Sequence, residues 1–477
     1  MDQGMTPPLA ARLRPAPAVS NTQAAADQGL RAGLSLALTS LLALALLQYA
    51  LPPNADAHYW GLDPEGTRQF AAHWGLTRLP KLGPDAYSLC FRLALVTLWC
   101  GYALAILAGL QGAKLKARPL LLTIGGAAVL TALFCPPLLS HDVYAYAAHG
   151  RLLSLYGQNP YFARPDLLAR VGDPAARFIT WNWPSVYGPI WTRIEAATAH
   201  APGLWPQVVA LKLVEAGALV GAALAGRRLT ARLRPGRENL TLLALGLNPT
   251  LLLEGPGAGH NDLLLVSLLL LGSAFYLDKK YVPAALCLGL SVGVKLITLA
   301  VLPWALMEYG RGRTGRRKLA AIAAAGLLVA LPLVLAFIGL WHGPATLAAA
   351  EQRAAFGLSA ATLALDAQRR DWLQSHGTGF GAASLLVSLC RNGWVVGLYG
   401  VLTLWLWRRP GPARWLTAWG VLSAALMFLA MGLPFPWYVT WFWPAFLLRW
   451  DRLSLSLSGL CFALSLTWTA GYGVLNR

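Results

Sequence analysis

The stretch LLLTIGGAAVLTALFCPPLLSHDVYAYAAHGR, from Leu120 to Arg151, passes from an apolar run directly into residues rich in histidine, aspartate, tyrosine and arginine. Its apolar part has the length of a helix that crosses a bilayer, roughly 20 residues. Similar runs recur along the 477 residues, of which 56% are hydrophobic and only 12% charged. Soluble domains carry about 25% charged residues. The sequence therefore predicts an all-α polytopic membrane protein, a bundle of about 11–13 transmembrane helices at the usual span length.

The formal net charge of +19 comes largely from short basic clusters between the apolar runs, such as KLKAR at 114–118 and RGRTGRRK at 311–318. The positive-inside rule produces this distribution in membrane proteins. We therefore expect membrane lipids, and not nucleic acid, as partners. The six cysteines lie in or beside apolar runs without a CxxC pair, so the sequence indicates neither disulfides nor a metal site.

Placing the basic clusters in the cytoplasm divides the chain into four regions and leaves its two long polar segments outside the cell membrane. A catalytic site is then expected on the outer face. The regions are a disordered cytoplasmic tail (1–29), an N-terminal transmembrane pair with an outer loop (30–118), a core with the outer loop 140–206 (119–310) and a C-terminal transmembrane bundle with the outer loop 341–382 (311–477).

Residues 281–308 are apolar but have basic residues on both flanks, which conflicts with a single crossing. Two half-helices that turn near Gly293 and Lys295 would keep both flanks on one side. Since a half-helix of about 13 residues rises only about 20 Å, Lys295 would lie inside the membrane. Non-helical backbone at that depth must be buried in protein or line a wet cavity. Lys295 is therefore a candidate for binding a phosphate, and the alternative is snorkelling to a headgroup.

If residues 141–156 are helical, Asp142, Tyr146 and His149 share one face, at positions i, i+4 and i+7. Small and apolar residues cover the remainder, which predicts an amphipathic helix at the membrane interface. The polar face either contributes to an active site or only meets water. In the second case Asp142 or Ser140 serves merely as a helix cap.

A second polar cluster lies in NPTLLLEGPGAGHNDLLLV at 248–266, where Glu254, His260, Asn261 and Asp262 surround a turn rich in glycine and proline. Ionisable residues between membrane spans are costly and indicate a functional site. The alternative is a short outer loop in which Asn261 or Asp262 caps the next span. A functional site is favoured because the polar residues exceed what a cap requires.

Two aromatic stretches, WNWPSVYGPIW at 181–191 and PFPWYVTWFW at 434–443, are interpreted by themselves as interfacial anchors. The chain has no P-loop, no HExxH and no GxGxxG followed by a Rossmann unit. Nucleotide binding and metalloprotease activity therefore lack sequence support, and no cofactor is expected.

Taken in order, SHDVYAYAAHGRLLSLYGQNPY, WPSVYGPIW, the GHND turn and a lysine in a short broken span resemble the polyprenyl-phosphate-mannose-dependent mannosyltransferases of the GT-C class. The actinobacterial alpha-1,6-mannosyltransferases of lipomannan synthesis are the most similar group. The resemblance implies a GT-C-like fold, a polyprenyl-phosphate sugar donor, a glycan or glycolipid acceptor of the cell envelope, and inverting transfer on the outer face. The acidic base of this class, in its first large outer loop, corresponds to Asp142.

This chain departs from the family pattern because two further spans precede the span that leads into the loop with Asp142. An added N-terminal helix pair would explain the departure and leaves the roles of Asp56 and Asp63 open. Mannose follows from the resemblance alone, and the residues identify neither acceptor nor linkage. The substrate-binding candidates are polar and aromatic residues of the motifs: His141, Tyr146, His149, Arg151, Tyr187, Glu254, His260, Asn261, Asp262 and Lys295.

A transporter or flippase of lipid-linked sugars is the main alternative, because a broken helix with a charged residue near the midplane is also a transporter feature. Transporters often have two related halves, and this sequence shows no such repeat. Its polar groups concentrate on one predicted side of the membrane, which favours an enzyme. A membrane scaffold subunit with purely structural polar clusters is the third hypothesis.

Overall fold

The computed structural model of the protein describes residues 18–50, 64–76, 80–137, 140–179, 182–349, 380–409, 411–430 and 436–451, with positions 456, 459 and 463. Within these ranges every regular element is helical and none is a strand. The α-helices are α1 (Ala18–Leu47), α2 (Pro64–His73), α3 (Pro84–Leu110), α4 (Ala117–Phe134), α5 (Asp142–Tyr156), α6 (Leu167–Arg170), α7 (Pro189–Thr198), α8 (Leu204–Leu233), α9 (Glu238–Gly246), α10 (Pro249–Leu252), α11 (Asp262–Leu277), α12 (Tyr281–Val294), α13 (Leu302–Tyr309), α14 (Gly315–Phe337), α15 (Phe380–Arg408), α16 (Pro412–Ala425) and α17 (Val439–Leu447).

Five helices in the described ranges are long and apolar enough to cross a membrane, and a bent pair of helices adds a sixth if it counts as one span. The protein is therefore an all-α polytopic membrane protein, as predicted. The predicted 11–13 crossings differ from this count because they include short apolar segments. The five helices are Thr22–Ala50, Asp85–Leu110, Ala117–Phe134, Leu204–Leu233 and Gly315–Phe337.

The N-terminal pair consists of α1 and α3, which pack along each other and are joined by a 2.9 Å hydrogen bond between the hydroxyls of Ser40 and Thr97. The Tyr102 hydroxyl donates to the Ala244 carbonyl oxygen and ties the pair to the core. Helix α1 begins at Ala18, so residues 18–29, assigned to a disordered tail, are helical. Residues 1–17, Asp56 and Asp63 lie outside the described residues.

The predicted break in the apolar run 281–308 is confirmed. Helix α12 ends at Val294, Lys295 is extended (φ −151°, ψ 124°), and a 3-10 turn leads into α13. The two ends of the run meet, because the Tyr309 hydroxyl donates to the Tyr281 carbonyl oxygen at 2.9 Å. The two halves therefore form a hairpin with Lys295 at its tip.

A second break separates Pro249–Gly257 from Asp262–Leu277, whose axes differ in direction by 115°. Helix α9 ends at Gly246, and α10 leads into a π-helical turn at Leu253–Gly257 that contains Pro256. Proline cannot donate the backbone hydrogen bond that an α-helix needs, and π turns often occur at functional sites. The GHND residues thus lie at a sharp turn.

Helix α14 exposes large apolar side chains: Leu319, Leu327 and Val334 are 69%, 72% and 62% exposed. In water such a face would be unfavourable. Lipid tails are as apolar as leucine, so a hydrocarbon environment accommodates it. The exposed face is therefore expected to contact lipid.

Helix α5 is predicted correctly in extent, but it does not lie on a surface. All ten residues from Val143 to Leu152 are buried. Gln207 of α8 donates to the Ala147 carbonyl oxygen at 3.1 Å, and Ser154 donates to the Ala196 carbonyl oxygen of α7 at 2.6 Å. The polar residues that gave the helix an amphipathic pattern therefore face other protein segments, and only its N-terminal end opens toward a site.

Candidate active site

Asp142 begins α5, and its side chain is 20% exposed. The hydroxyl oxygen of Ser140 accepts a 3.1 Å hydrogen bond from the Asp142 backbone N–H. Ser140, which precedes the N-cap residue His141, thus satisfies the first backbone N–H of the helix, and no side chain caps the helix at His141. The Asp142 carboxylate is not needed as a cap and faces the GHND turn.

The GHND turn approaches α5 closely at Gly259. This residue has a φ of +81°, and a Cβ there would lie only 3.0 Å from Val143 Cγ2. Glycine is favoured by both the left-handed backbone and the lack of space. Because the turn packs against Val143, His260 is held beside Asp142.

His260 is buried between two carboxylates. Its Nδ1 lies 3.1 Å from the Glu254 carbonyl oxygen and 3.3 Å from Glu254 Oε2, and its Nε2 lies 3.9 Å from Asp142 Oδ2. Both Glu254 oxygens are acceptors, so Nδ1 carries a proton toward them, and Nε2 is the ring atom that faces Asp142. The Nε2–Asp142 distance is too long for a direct hydrogen bond. Glu254 therefore orients the ring, while the Asp142 side remains open to a reacting group.

Lys295 and Asp262 form an ion pair with a 2.7 Å distance between Nζ and Oδ1. Asp262 is 1% exposed at its side chain, whereas Lys295 is 20% exposed. A buried carboxylate requires a partner because removing it from water is costly. The pair thus places a cation at the hairpin tip, bound to Asp262, which lies two residues after His260.

Several buried polar atoms around this turn have no hydrogen-bond partner among the described residues. They are Nε2 of His260, both amide atoms of Asn261, Oδ2 of Asp262 and Oε1 of Glu215. Asn261 occupies the N-cap position of α11 without a side-chain cap bond, while Glu215 Oε2 accepts from the Leu264 backbone N–H at 3.2 Å. Unsatisfied buried groups are rare and typical of functional sites. Among the described residues, no three His, Cys, Asp or Glu side chains form a group suited to a metal ion.

Tyr146, His149 and Tyr187 pack together behind Asp142. The Tyr187 ring lies 4.8 Å from Tyr146 and 6.4 Å from His149, between ring centroids, and Tyr146 also contacts Trp191 at 5.2 Å. His149 Nε2 lies 3.2 Å from the Trp183 carbonyl oxygen. These side chains connect α5 to the aromatic loop before α7, and His141 lies partly buried at the N-terminal end of α5.

Burial lowers the pKa of His149 to about 4. The unfolded chain binds a proton near pH 6.5, so the folded state should be fully favoured above that pH and lose stability as the pH falls toward 4, by roughly 3 kcal/mol. The variant His149→Gln keeps an N–H donor for the Trp183 carbonyl but does not titrate. Thermal midpoints of both proteins between pH 7 and pH 4 should diverge, with the parent falling faster. Parallel curves would contradict the buried neutral ring.

Arg151 does not contribute to the turn around Lys295. Its Nε donates to both carboxylate oxygens of Asp173, at 2.9 and 2.8 Å, and Asp173 is also bound by the Tyr156 hydroxyl at 2.8 Å. The guanidinium therefore fastens the segment after α5 to the helix. Arg151, a substrate-binding candidate from the sequence, is thus engaged by Asp173 in this structure.

A comparison with known protein families matches residues 73–311, half of the chain, to the model described as "Alpha-(1->6)-mannopyranosyltransferase, N-terminal domain". The chain belongs to this mannopyranosyltransferase family. Alpha-(1->6)-mannopyranosyltransferase A of Mycobacterium tuberculosis is 29% identical over 391 residues, which cover 73% of this chain and 70% of that protein.

Two Corynebacterium glutamicum proteins are also similar to this family member. Alpha-(1->6)-mannopyranosyltransferase A is 26% identical over 40% of both chains, and alpha-(1->6)-mannopyranosyltransferase B is 28% identical over 45% of this chain and 38% of that protein. No solved structure matches.

In this mannopyranosyltransferase family member, sequence reasoning missed one part of the site. The segment PFPWYVTWFW was interpreted as an interfacial anchor, and its first two residues lie outside the described residues. Yet the Trp437 ring stacks on His260, with 4.1 Å between centroids and 16° between planes, and Trp441 Nε1 donates to Asp262 Oδ1 at 2.5 Å. The only sequence signal was the density of tryptophan and tyrosine, which membrane interfaces also produce.

Proposed function

We propose that this protein is a glycosyltransferase that transfers mannose from a polyprenyl-phosphate donor to a glycan or glycolipid of the cell envelope. Transfer would occur on the outer face of the membrane, with inversion, to give an alpha linkage. The observation that carries the proposal is the convergence of Asp142, His260 and Lys295 on one turn in a member of a mannopyranosyltransferase family.

Asp142 is the proposed general base. An acceptor hydroxyl must lose its proton as its oxygen attacks C1 of the sugar, and a carboxylate within hydrogen-bond reach accepts that proton. The carboxylate is partly exposed and does not serve as a helix cap. His260, held at Nδ1 by Glu254, faces Asp142 with Nε2 and would orient the carboxylate or the acceptor hydroxyl.

Lys295 is the proposed partner of the leaving phosphate. The bond from C1 to the phosphate oxygen breaks as the new glycosidic bond forms, and the departing polyprenyl phosphate gains negative charge. A fixed cation close to that oxygen stabilises the charge in a site where water is scarce. Attack by the acceptor oxygen from the opposite side of C1 inverts the anomeric centre, so an alpha product requires a beta-linked donor.

Purified full-length protein, incubated with radiolabelled polyprenyl-phosphate mannose and envelope lipoglycans, should transfer the label to the lipoglycan fraction. GDP-mannose in place of the lipid donor should give no transfer, since the sequence has no nucleotide-binding motif. Transfer from GDP-mannose would overturn the proposed donor. Movement of the lipid-linked sugar across proteoliposomes without a new glycosidic bond would favour the transporter hypothesis.

The proposed sidedness is tested by cysteine labelling in whole cells. Asp166→Cys in the segment 140–206 should react with a membrane-impermeant maleimide, because Asp166 is exposed there. Arg316→Cys in the basic first turn of α14 should react only after permeabilisation. The opposite pattern would place the site on the cytoplasmic face.

The aromatic loop before α7 is attached to the hairpin tip, and this attachment gives a further prediction. The Gly188 backbone N–H donates to the Val294 carbonyl oxygen at 3.0 Å, and a Cβ at Gly188 would lie 2.2 Å from the Gly293 carbonyl oxygen. Carbon and oxygen approach to about 3.3 Å, so Gly188→Ala must displace the loop or Lys295 by about 1 Å. A misplacement of that size should lower the transfer rate on the order of 100-fold.

The matched control for Gly188→Ala is Gly217→Ala in α8, where a Cβ meets nothing within 4 Å. It should keep full activity and raise the free energy of unfolding by about 1 kcal/mol, since alanine favours a helix more than glycine. Equal activity of the two variants would contradict a role for the contact between the loop and the hairpin tip.

A further inference from the structure

The family match ends at residue 311, yet part of the site comes from the C-terminal segment Pro436–Trp441. Trp437, Tyr438 and Trp441 are all buried, at 7%, 8% and 2% exposure. They contact side chains of the family-matched region 73–311, from the GHND turn and the hairpin tip. An interfacial anchor has no reason to bury these rings against charged groups, so the segment requires another explanation.

Asp262 Oδ1 accepts two hydrogen bonds, from Lys295 Nζ at 2.7 Å and from Trp441 Nε1 at 2.5 Å. Hydrogen bonds to an ionised acceptor are about twice as strong as neutral ones. The indole N–H therefore fixes the orientation of the Asp262 carboxylate. Because Lys295 is bound to the same oxygen, the position of its ammonium group follows from that of the carboxylate.

Lys295 also lies against aromatic rings. Its Nζ is 5.4 Å from the Tyr438 ring centroid and 5.2 Å from that of Trp441, distances at which a cation is attracted to the ring face. Two rings and one carboxylate thus restrict a long, flexible side chain that is still 20% exposed. A restricted and accessible ammonium group can meet a phosphate without losing much conformational entropy.

We propose that Trp441 is a positioning residue, which acts through Asp262 to hold Lys295 where the leaving phosphate departs. The inference deepens the proposed function and rests on it. When the held ammonium group of Lys295 also binds the phosphate, it neutralises less of the negative charge of Asp262. The indole N–H of Trp441 remains as a donor to that buried carboxylate. Trp441 thereby reduces the free-energy cost of sharing the lysine between Asp262 and the substrate.

The contact of Trp437 with His260 extends the same role to the other part of the site. The two rings are nearly parallel and only 4.1 Å apart, so the indole covers one face of the imidazole. A single short segment therefore supports both His260 and the ion pair of Lys295 with Asp262. The family-matched region 73–311 alone would lack this support.

The test compares substitutions that separate the N–H donor from the ring. Trp441→Phe keeps an aromatic face but removes the donor, whereas Trp441→Gln keeps an N–H at the same number of bonds from Cα but removes the ring. If Trp441 acts through its N–H, Trp441→Phe should lower transfer per folded protein roughly 10- to 100-fold, and Trp441→Gln should retain more activity than Trp441→Phe. A packing role predicts the reverse order.

Trp304→Phe is the matched control, since the buried Trp304 Nε1 donates at 2.8 Å to the Thr403 hydroxyl, away from the site residues. It should keep activity within threefold of the parent.

A double variant tests whether Trp441 acts through Asp262. In an Asp262→Asn background, Trp441→Phe should lower the transfer rate by less than a further threefold, because the two residues act on the same atom. The inference would be overturned if Trp441→Phe and Trp304→Phe had equal activity. It would also be overturned if the double variant lowered the transfer rate by the product of the two single-variant factors, for Trp441→Phe and Asp262→Asn. Absence of transfer by the parent protein would instead overturn the proposed function.

Discussion

Asp142→Asn is expected to lower mannosyl transfer by roughly 100- to 10,000-fold, the range that a general base contributes. Asparagine has almost the same shape but cannot accept the proton of the acceptor hydroxyl. The helix start should remain intact, because Ser140 and not the Asp142 carboxylate binds the Asp142 backbone N–H. The transfer rate from polyprenyl-phosphate mannose, normalised to folded protein by size-exclusion chromatography, is the measurement.

Asp166→Asn is the control for this change. Asp166 lies in the same segment of the chain, is 47% exposed at its side chain and is 3.9 Å from Arg170. An exposed pair of this kind contributes at most about 1 kcal/mol, so activity and thermal midpoint should stay close to those of the parent. Near-normal transfer by Asp142→Asn would exclude Asp142 as the base and return His260 or Asp262 to consideration.

Lys295→Met is expected to have two separable effects. Asp262 would remain buried without its ammonium partner, which should lower the free energy of unfolding by about 3–5 kcal/mol. Transfer should also fall on the order of 100- to 1,000-fold, because the leaving phosphate loses its cation. Thermal unfolding and transfer rate measured on the same preparation distinguish the two effects.

The double variant Lys295→Met with Asp262→Asn removes both charges of the pair. Much of the stability should return, since a neutral amide at the buried position no longer requires a cation. Transfer should stay low, because the phosphate still lacks its partner. Recovery of both stability and transfer would mean that Lys295 only neutralises Asp262. Lys280→Met, at an exposed lysine before α12, should leave both quantities unchanged.

The sequence predicted those features of the fold that follow from local pattern and charge. Basic flanks around an apolar run located the break at Lys295, because a single crossing would have placed arginines on the wrong side. Periodicity located α5, and polar residues between two apolar runs located the GHND turn. Each of these predictions depends on residues close together in the chain, and the structure confirms the break and the helix.

Contacts between distant segments were not predictable in the same way. Trp441 and Asp262 are 179 residues apart, and nothing local to either indicates the other. The contact of Arg151, a substrate-binding candidate, with Asp173 was not predicted, because Asp173, 22 residues away, belongs to an irregular segment without a recognisable pattern. Likewise the polar residues of α5 suggested contact with water, although neighbouring helices cover them.

The hairpin formed by α12 and α13 sets the distance from its base to Lys295. Its base is held where Tyr281 and Tyr309 meet, and its tip carries Lys295. The 14 residues of α12 rise about 21 Å. Asp262, which receives the ammonium group, starts a different helix. Adding or removing one turn of α12 would shift the lysine by about 5 Å relative to that carboxylate. The length of α12 thus sets the distance between the hairpin base and the charge of Lys295. Hydropathy alone would not reveal this constraint on the number of residues in the helix.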